Sequence, residues 1–131
     1  MKRILFALGA LLMATVSFSQ DPWVYRGHPR WDRSWNQRPF PRAGACFFTD
    51  SRFRGDRFCV NRGERLDRLP ENFGDNISSL QIFGGARVTV FNDRDFRGGR
   101  QEFRNSIDDL GTQRFRDGHT WNNRISSLAV R

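Results

Sequence analysis

Two stretches of this chain carry the same phrase. Residues 48–55 read Phe-Thr-Asp-Ser-Arg-Phe-Arg-Gly, and residues 91–98, 43 positions later, read Phe-Asn-Asp-Arg-Asp-Phe-Arg-Gly. A second shared phrase follows each: Asn76-Ile77-Ser78-Ser79-Leu80, then Arg124-Ile125-Ser126-Ser127-Leu128, 48 positions apart. The second copy therefore carries about five extra residues between its phrases. A period of this length means one supersecondary unit built twice, with function expected at paired positions.

The repeat begins only near residue 44. Residues 1–19 have a basic start at Lys2 and Arg3, then an apolar run from Ile4 to Phe18 ending in small residues. This is the pattern of a secretory signal peptide cleaved after Ser19, and the run is short for a membrane span. The expected location is secreted or periplasmic. Without it, about 112 residues remain, enough for one domain with a single core. Lys2 is the only lysine, so the positive charge of that mature part is all arginine, 20 against 14 acids. Arginine binds carboxylates and phosphates through a planar fork. An arginine-only surface suits anionic envelope polymers or acidic proteins, and equally serves plain solubility.

Residues 20–43 form a leader of different composition. It holds four of the five prolines (Pro22, Pro29, Pro39, Pro41), three of the four tryptophans (Trp23, Trp31, Trp35) and the only tyrosine, Tyr25. It has neither strand nor helix period, and proline opposes both. It reads as extended or loosely ordered. Its rings either stack on a ligand or fold back on the domain.

From Ala45 the signals are β. Runs at 45–48 and 88–91 are rich in apolar and β-branched residues, 57–60 and 100–103 are their return strands, and 77–83 and 125–130 are the most apolar segments. Turn clusters separate them, and 113–117 is expected to form one helical turn that absorbs the insertion. Strand–turn spacing of this kind points to a sandwich. Cys46 and Cys59 flank the first repeated phrase. In an exported chain, with the phrase as a hairpin loop, they face each other and form a disulfide.

Each half resembles a βγ-crystallin Greek key. The hairpin phrase of that family, aromatic-x4-aromatic-x-Gly, matches Phe48, Phe53 and Gly55, and again Phe91, Phe96 and Gly98. Its second phrase, two Asn/Asp, two variable residues, Ser/Thr and Ser, is complete in residues 122–127 and departs only at Gly74 in residues 74–79. The resemblance implies an all-β sandwich of two Greek keys, 44–84 and 85–131, with two four-stranded antiparallel sheets. Ser79 and Ser127 would tie each last strand to the folded hairpin.

The second phrase is also that family's calcium signature. The resemblance implies one site from the Asn76 carbonyl, the Ser78 hydroxyl and the Asn123 side chain. The other would use the Arg124 carbonyl, the Ser126 hydroxyl and the Asp75 side chain, with loop carbonyls near Thr49 and Asn92. Calcium affinity follows ligand charge, so sites with at most one carboxylate are expected to be weak.

No HExxH or CxxC motif occurs. His28 and His119 have no sequence-local metal partner, so the chain is read as a non-enzyme. It is expected to be a monomer. The alternative roles are a protease inhibitor, since some metalloproteinase inhibitors resemble this fold and carry disulfides, and an Arg/Trp binder of envelope polyanions. No specific nucleic-acid motif is present.

Overall fold

The computed structural model describes residues 30–115 and 117–131. Residues 1–29, with the expected signal peptide, His28 and the first part of the leader, lie outside the described residues. Among the described residues seven strands form: β1 (Gly44–Asp50), β2 (Arg54–Asn61), β3 (Arg65–Leu66), β4 (Ser79–Phe83), β5 (Val88–Phe91), β6 (Arg100–Phe103) and β7 (Ser127–Val130). One sheet has the order β2-β1-β4, the other β3-β7-β5-β6, and every pairing is antiparallel.

The two keys exchange their third strands. β3 belongs to the first key but pairs with β7 of the second, Leu66 opposite Leu128. The reciprocal segment reaches the edge of β4, where Leu80 and Ile107 exchange backbone hydrogen bonds and the Ile82 N–H donates to Ser106 Oγ. The expected fourth strand of that sheet is therefore a single bridge, and the sheet has three strands. Its neighbours Arg104, Asn105 and Asp108 are exposed and polar, so nothing apolar extends the pairing.

Alternation along the strands sorts side chains into two clusters. The inward residues of β1 and β2, Ala45, Phe47, Phe58 and Val60, meet Val88, Val90, Leu128 and Val130 from the other sheet, with Phe73, Ile77, Trp121 and Ile125 closing the ends. The outward residues of the first sheet form a second, smaller cluster of Cys46, Phe48 and Cys59, with Phe53 and Phe83 against it. Cys46 and Cys59 are register partners and form the expected disulfide. At the hairpin tips Phe48 meets Phe53, and Phe91 meets Phe96, edge to face. Gly55 and Gly98 sit at φ +83° and +78°, where a Cβ would stand 2.3 Å from Thr49 Oγ1 or 2.0 Å from Asn92 Oδ1. Only glycine passes there. Ser79 and Ser127 do tie the hairpins: each hydroxyl donates to a loop carbonyl, Asp50 or Asp93, and accepts from the Phe53 or Phe96 N–H.

Two local expectations change. Residues 30–43 are ordered against the domain, with a 3₁₀ helix at Arg33–Gln37. Asp32 caps it: the Ser34 hydroxyl and then the Ser34 N–H hold its carboxyl below the ordinary value. Trp35 is buried, and Trp31 meets Phe73 edge to face while donating its Nε1–H to the Arg57 carbonyl. The short helix of the second key falls at Leu110–Thr112, not 113–117, because Asp109 Oδ1 caps the Gly111 N–H. The insertion instead turns back on itself: Arg114 bridges Thr120, Gly118 takes φ +85°, and the Trp121 N–H donates to the Gln113 carbonyl.

Candidate functional site

The paired Asn/Ser phrases lie where the two keys cross. Asp75 and Asn123 occupy equivalent positions, both in the left-handed region at φ +54° and +57°. Asx side chains tolerate that conformation better than others do. Each backbone N–H then donates across the pseudo-twofold, Asp75 to the Ile125 carbonyl and Asn123 to the Ile77 carbonyl. The serine N–H groups complete the frame, Ser78 donating to the Phe48 carbonyl and Ser126 to the Phe91 carbonyl. Every loop is thus anchored to the hairpin beside it and to the opposite key.

The side chains are less symmetric than the frame. On the second site the Ser126 hydroxyl lies 3.0 Å from Asp75 Oδ1, joining residues 51 apart in sequence. A cavity of about 320 Å³ opens beside them, lined by Asp75, Asn92, Asp93, Asn123 and Arg124. Inside this loop cluster Asn92 Oδ1 is buried without a hydrogen-bond partner. A buried acceptor normally finds a donor or an ion. The lining includes two carboxylates, Asp75 and Asp93, and two side-chain amides beside Arg124, and the oxygens among these groups suit a hard cation. Asp93 was not expected as a contributor. Its position, three residues after Val90 at the hairpin tip, is the same as that of Asp50 in the first key, and that repetition was the available signal.

The first site is poorer. Ser78 is half-buried and Asn76 exposed, the latter directing Nδ2 to the Asn72 carbonyl. Thr49 Oγ1 is already engaged, accepting from the Asp56 N–H. Its cross-key side chain, Asn123, is neutral. Arg124 lines the second site's cavity, and its Nη1 lies 3.7 Å from Asp117 Oδ2, a carboxylate that also approaches His119 Nδ1 at 3.2 Å. Among the described residues no three of His, Cys, Asp and Glu gather as a metal cluster, so any ion held here relies on neutral oxygens as well.

These features define an all-β Greek-key sandwich with paired polar loops at the crossing of its keys. Several solved structures are similar to it over most of their length, among them named βγ-crystallin domains. The N-terminal domain of Protein S is 21% identical, with a TM-score of 0.55 over 68% of this chain and 96% of its own. A βγ-crystallin domain from Flavobacterium johnsoniae is 22% identical, with a TM-score of 0.55 over 66% and 92%. The βγ-crystallin domain of Abundant Perithecial Protein from Neurospora crassa, solved in a Ca²⁺-bound form, is 16% identical, with a TM-score of 0.56 over 71% and 92%. No family model matches the chain, and no curated protein matches it by sequence. The chain has the βγ-crystallin fold.

Proposed function

We propose that this chain is an exported, non-catalytic member of the βγ-crystallin family. Its second loop site binds calcium weakly, and its first binds it more weakly still. The observation that carries the reading is the Ser126 hydroxyl at 3.0 Å from Asp75 Oδ1, which brings one carboxylate and one hydroxyl together from opposite keys. Asn92, which lines the same cavity as Asp75, has a buried Oδ1 with no hydrogen-bond partner. The Asp75 carboxylate, the Ser126 hydroxyl, the Arg124 carbonyl and the Asn92–Asp93 loop would hold the ion. When bound, it would neutralise the carboxylates and tie the two keys together. Extracellular calcium modules of modest charge bind at roughly 10⁻⁴–10⁻³ M.

The test is thermal unfolding of the oxidised chain lacking residues 1–19 in EDTA, in millimolar calcium and in millimolar magnesium. At ten times the dissociation constant, one site adds about 1.4 kcal/mol, several degrees for a domain of this size. Asp75→Asn should remove most of the calcium-specific rise, and Asn123→Ala little of it. Equal rises in calcium and magnesium, or no rise, would mean that the phrases only cap loops.

A further inference from the structure

The basic surface finds its aromatic companion at a different place from the tryptophan leader. Trp31 and Trp35 are spent on the fold, one donating to β2 and one buried. At the outer edge of the other sheet, β6 and the insertion enclose a groove of about 490 Å³ lined by Gly98, Gly99, Arg100, Gln101, Arg114 and Phe115.

Three features of its construction bear on what it takes. The Phe115 ring seats directly on Gly99, where a Cβ would stand 1.7 Å from it, so only glycine leaves room for the ring at that wall. Its aromatic wall is fixed, since Phe115 meets Trp121 edge to face at 5.2 Å and the Trp121 Nε1–H donates to Gln101 Oε1 at 2.6 Å. Its two guanidiniums are not ion-paired. Arg100 and Arg114 line it, no acid does, and among the described residues neither guanidinium lies within salt-bridge distance of a carboxylate. By contrast Arg104 is paired with Glu102, and Arg124 stands near Asp117.

We infer that this groove binds an acidic polysaccharide, one sugar ring lying against Phe115 and its carboxylate or sulfate groups held by Arg100 and Arg114. Forked guanidiniums match such oxyanions. A single ring favours a sugar over a nucleic acid strand, whose recognition uses successive aromatic platforms. The insertion that builds the wall has no counterpart in the first key, so among the described residues the site occurs once.

The experiment titrates the oxidised chain lacking residues 1–19 with polygalacturonate and with dextran sulfate at several salt concentrations, and with a single-stranded oligonucleotide of matched charge. The groove variant is Arg100→Gln with Arg114→Gln. The control is Arg62→Gln with Arg87→Gln, the same charge change at exposed positions outside the groove. Polysaccharide affinity should fall at least tenfold in the groove variant, with the salt slope reduced by about two, and less than threefold in the control. Phe115→Leu, checked for retained cooperative unfolding, should weaken polysaccharide binding with an unchanged salt slope. Equal losses in both double variants would reduce the effect to net charge and overturn the site. No binding to either polysaccharide, or tighter binding to the oligonucleotide, would overturn the assigned ligand.

Discussion

β2 and β6 are the same strand written twice, each at the edge of its sheet, and the chain covers them by different means. An open edge offers unpaired backbone groups to other chains. On β2 the cover is the segment before the domain. The Arg57 N–H donates to Asn36 Oδ1, and the Arg57 carbonyl accepts from Trp31 Nε1. The Arg57 side chain then clamps the cover down. Nη2 donates to the Asn36 and Arg38 carbonyls at 2.9 and 2.5 Å, Nη1 lies 3.2 Å from Cys59 Sγ, and the guanidinium sits over the Phe40 ring at 4.4 Å. Phe40 in turn stacks on Phe83. On β6 the cover is the insertion, which touches through Phe115 and Trp121 and leaves Arg100, the counterpart of Arg57, exposed. One arginine has become part of the packing and the other has stayed at the surface. The repeat thus supplies a common frame, and the unrepeated segments decide which face is closed.

The comparison breaks first at Trp35. If the leader segment is part of the core, Trp35→Ala should cost about 3–5 kcal/mol, as for other buried aromatic deletions. A melting midpoint within a degree of wild type would show that the segment merely rests on the domain. The disulfide comes next. Replacing Cys46 and Cys59 by alanine should cost about 3 kcal/mol in the chain-entropy account for a loop of this size. The loss is read from denaturant midpoints at constant slope, and the second key, which has no cross-link, should then unfold together with the first.

The paired arginines give a smaller and sharper contrast. Arg57 is 8% exposed, and burial pushes its guanidinium below the ordinary value, although an arginine so shifted keeps its charge at neutral pH. Arg57→Gln strands the Asn36 and Arg38 carbonyls and should cost about 1–3 kcal/mol. Arg100→Gln, at the same place in the second key, should stay within about 0.5 kcal/mol, as exposed substitutions do. Equal costs at the two positions would erase the distinction between a clamped and an open edge.

Much of this was legible because repetition makes weak signals mutually supporting. Neither Gly55 nor Gly98 alone specifies a folded hairpin; both at the same offset from an aromatic pair do. The third strands were not legible, since Arg65–Leu66 and the bridge at Ile107 are too short to carry a period of two. The leader's order was hidden for a different reason. Trp31, Trp35 and Asn36 act through long-range hydrogen bonds and packing to β2 and the core, and such contacts leave no local pattern. The displaced 3₁₀ turn had a local cause, the Asp109 cap, but Gln113–Asp117 showed the same polar character and competed for the assignment.

At the loop sites the same frame carries charges that partly cancel. The second site has Asp75 where the first has Asn123, a gain for a cation. It also has Arg124 where the first has Asn76, a loss. Asp117 moderates that loss by standing 3.7 Å from Arg124 Nη1. At an exposed site, where water and salt screen, unit charges a few ångströms apart exchange about 1 kcal/mol or less. Arg124→Asn, which copies the first key, should therefore tighten calcium binding about three- to fivefold at low ionic strength, and Asp117→Asn should weaken it by a smaller factor. Isothermal titration at two salt concentrations reads both, and the differences should shrink at the higher one. If Arg124→Asn instead weakened binding at both concentrations, its backbone carbonyl or loop geometry would matter more than its charge. The two sites would then differ in shape rather than in electrostatics.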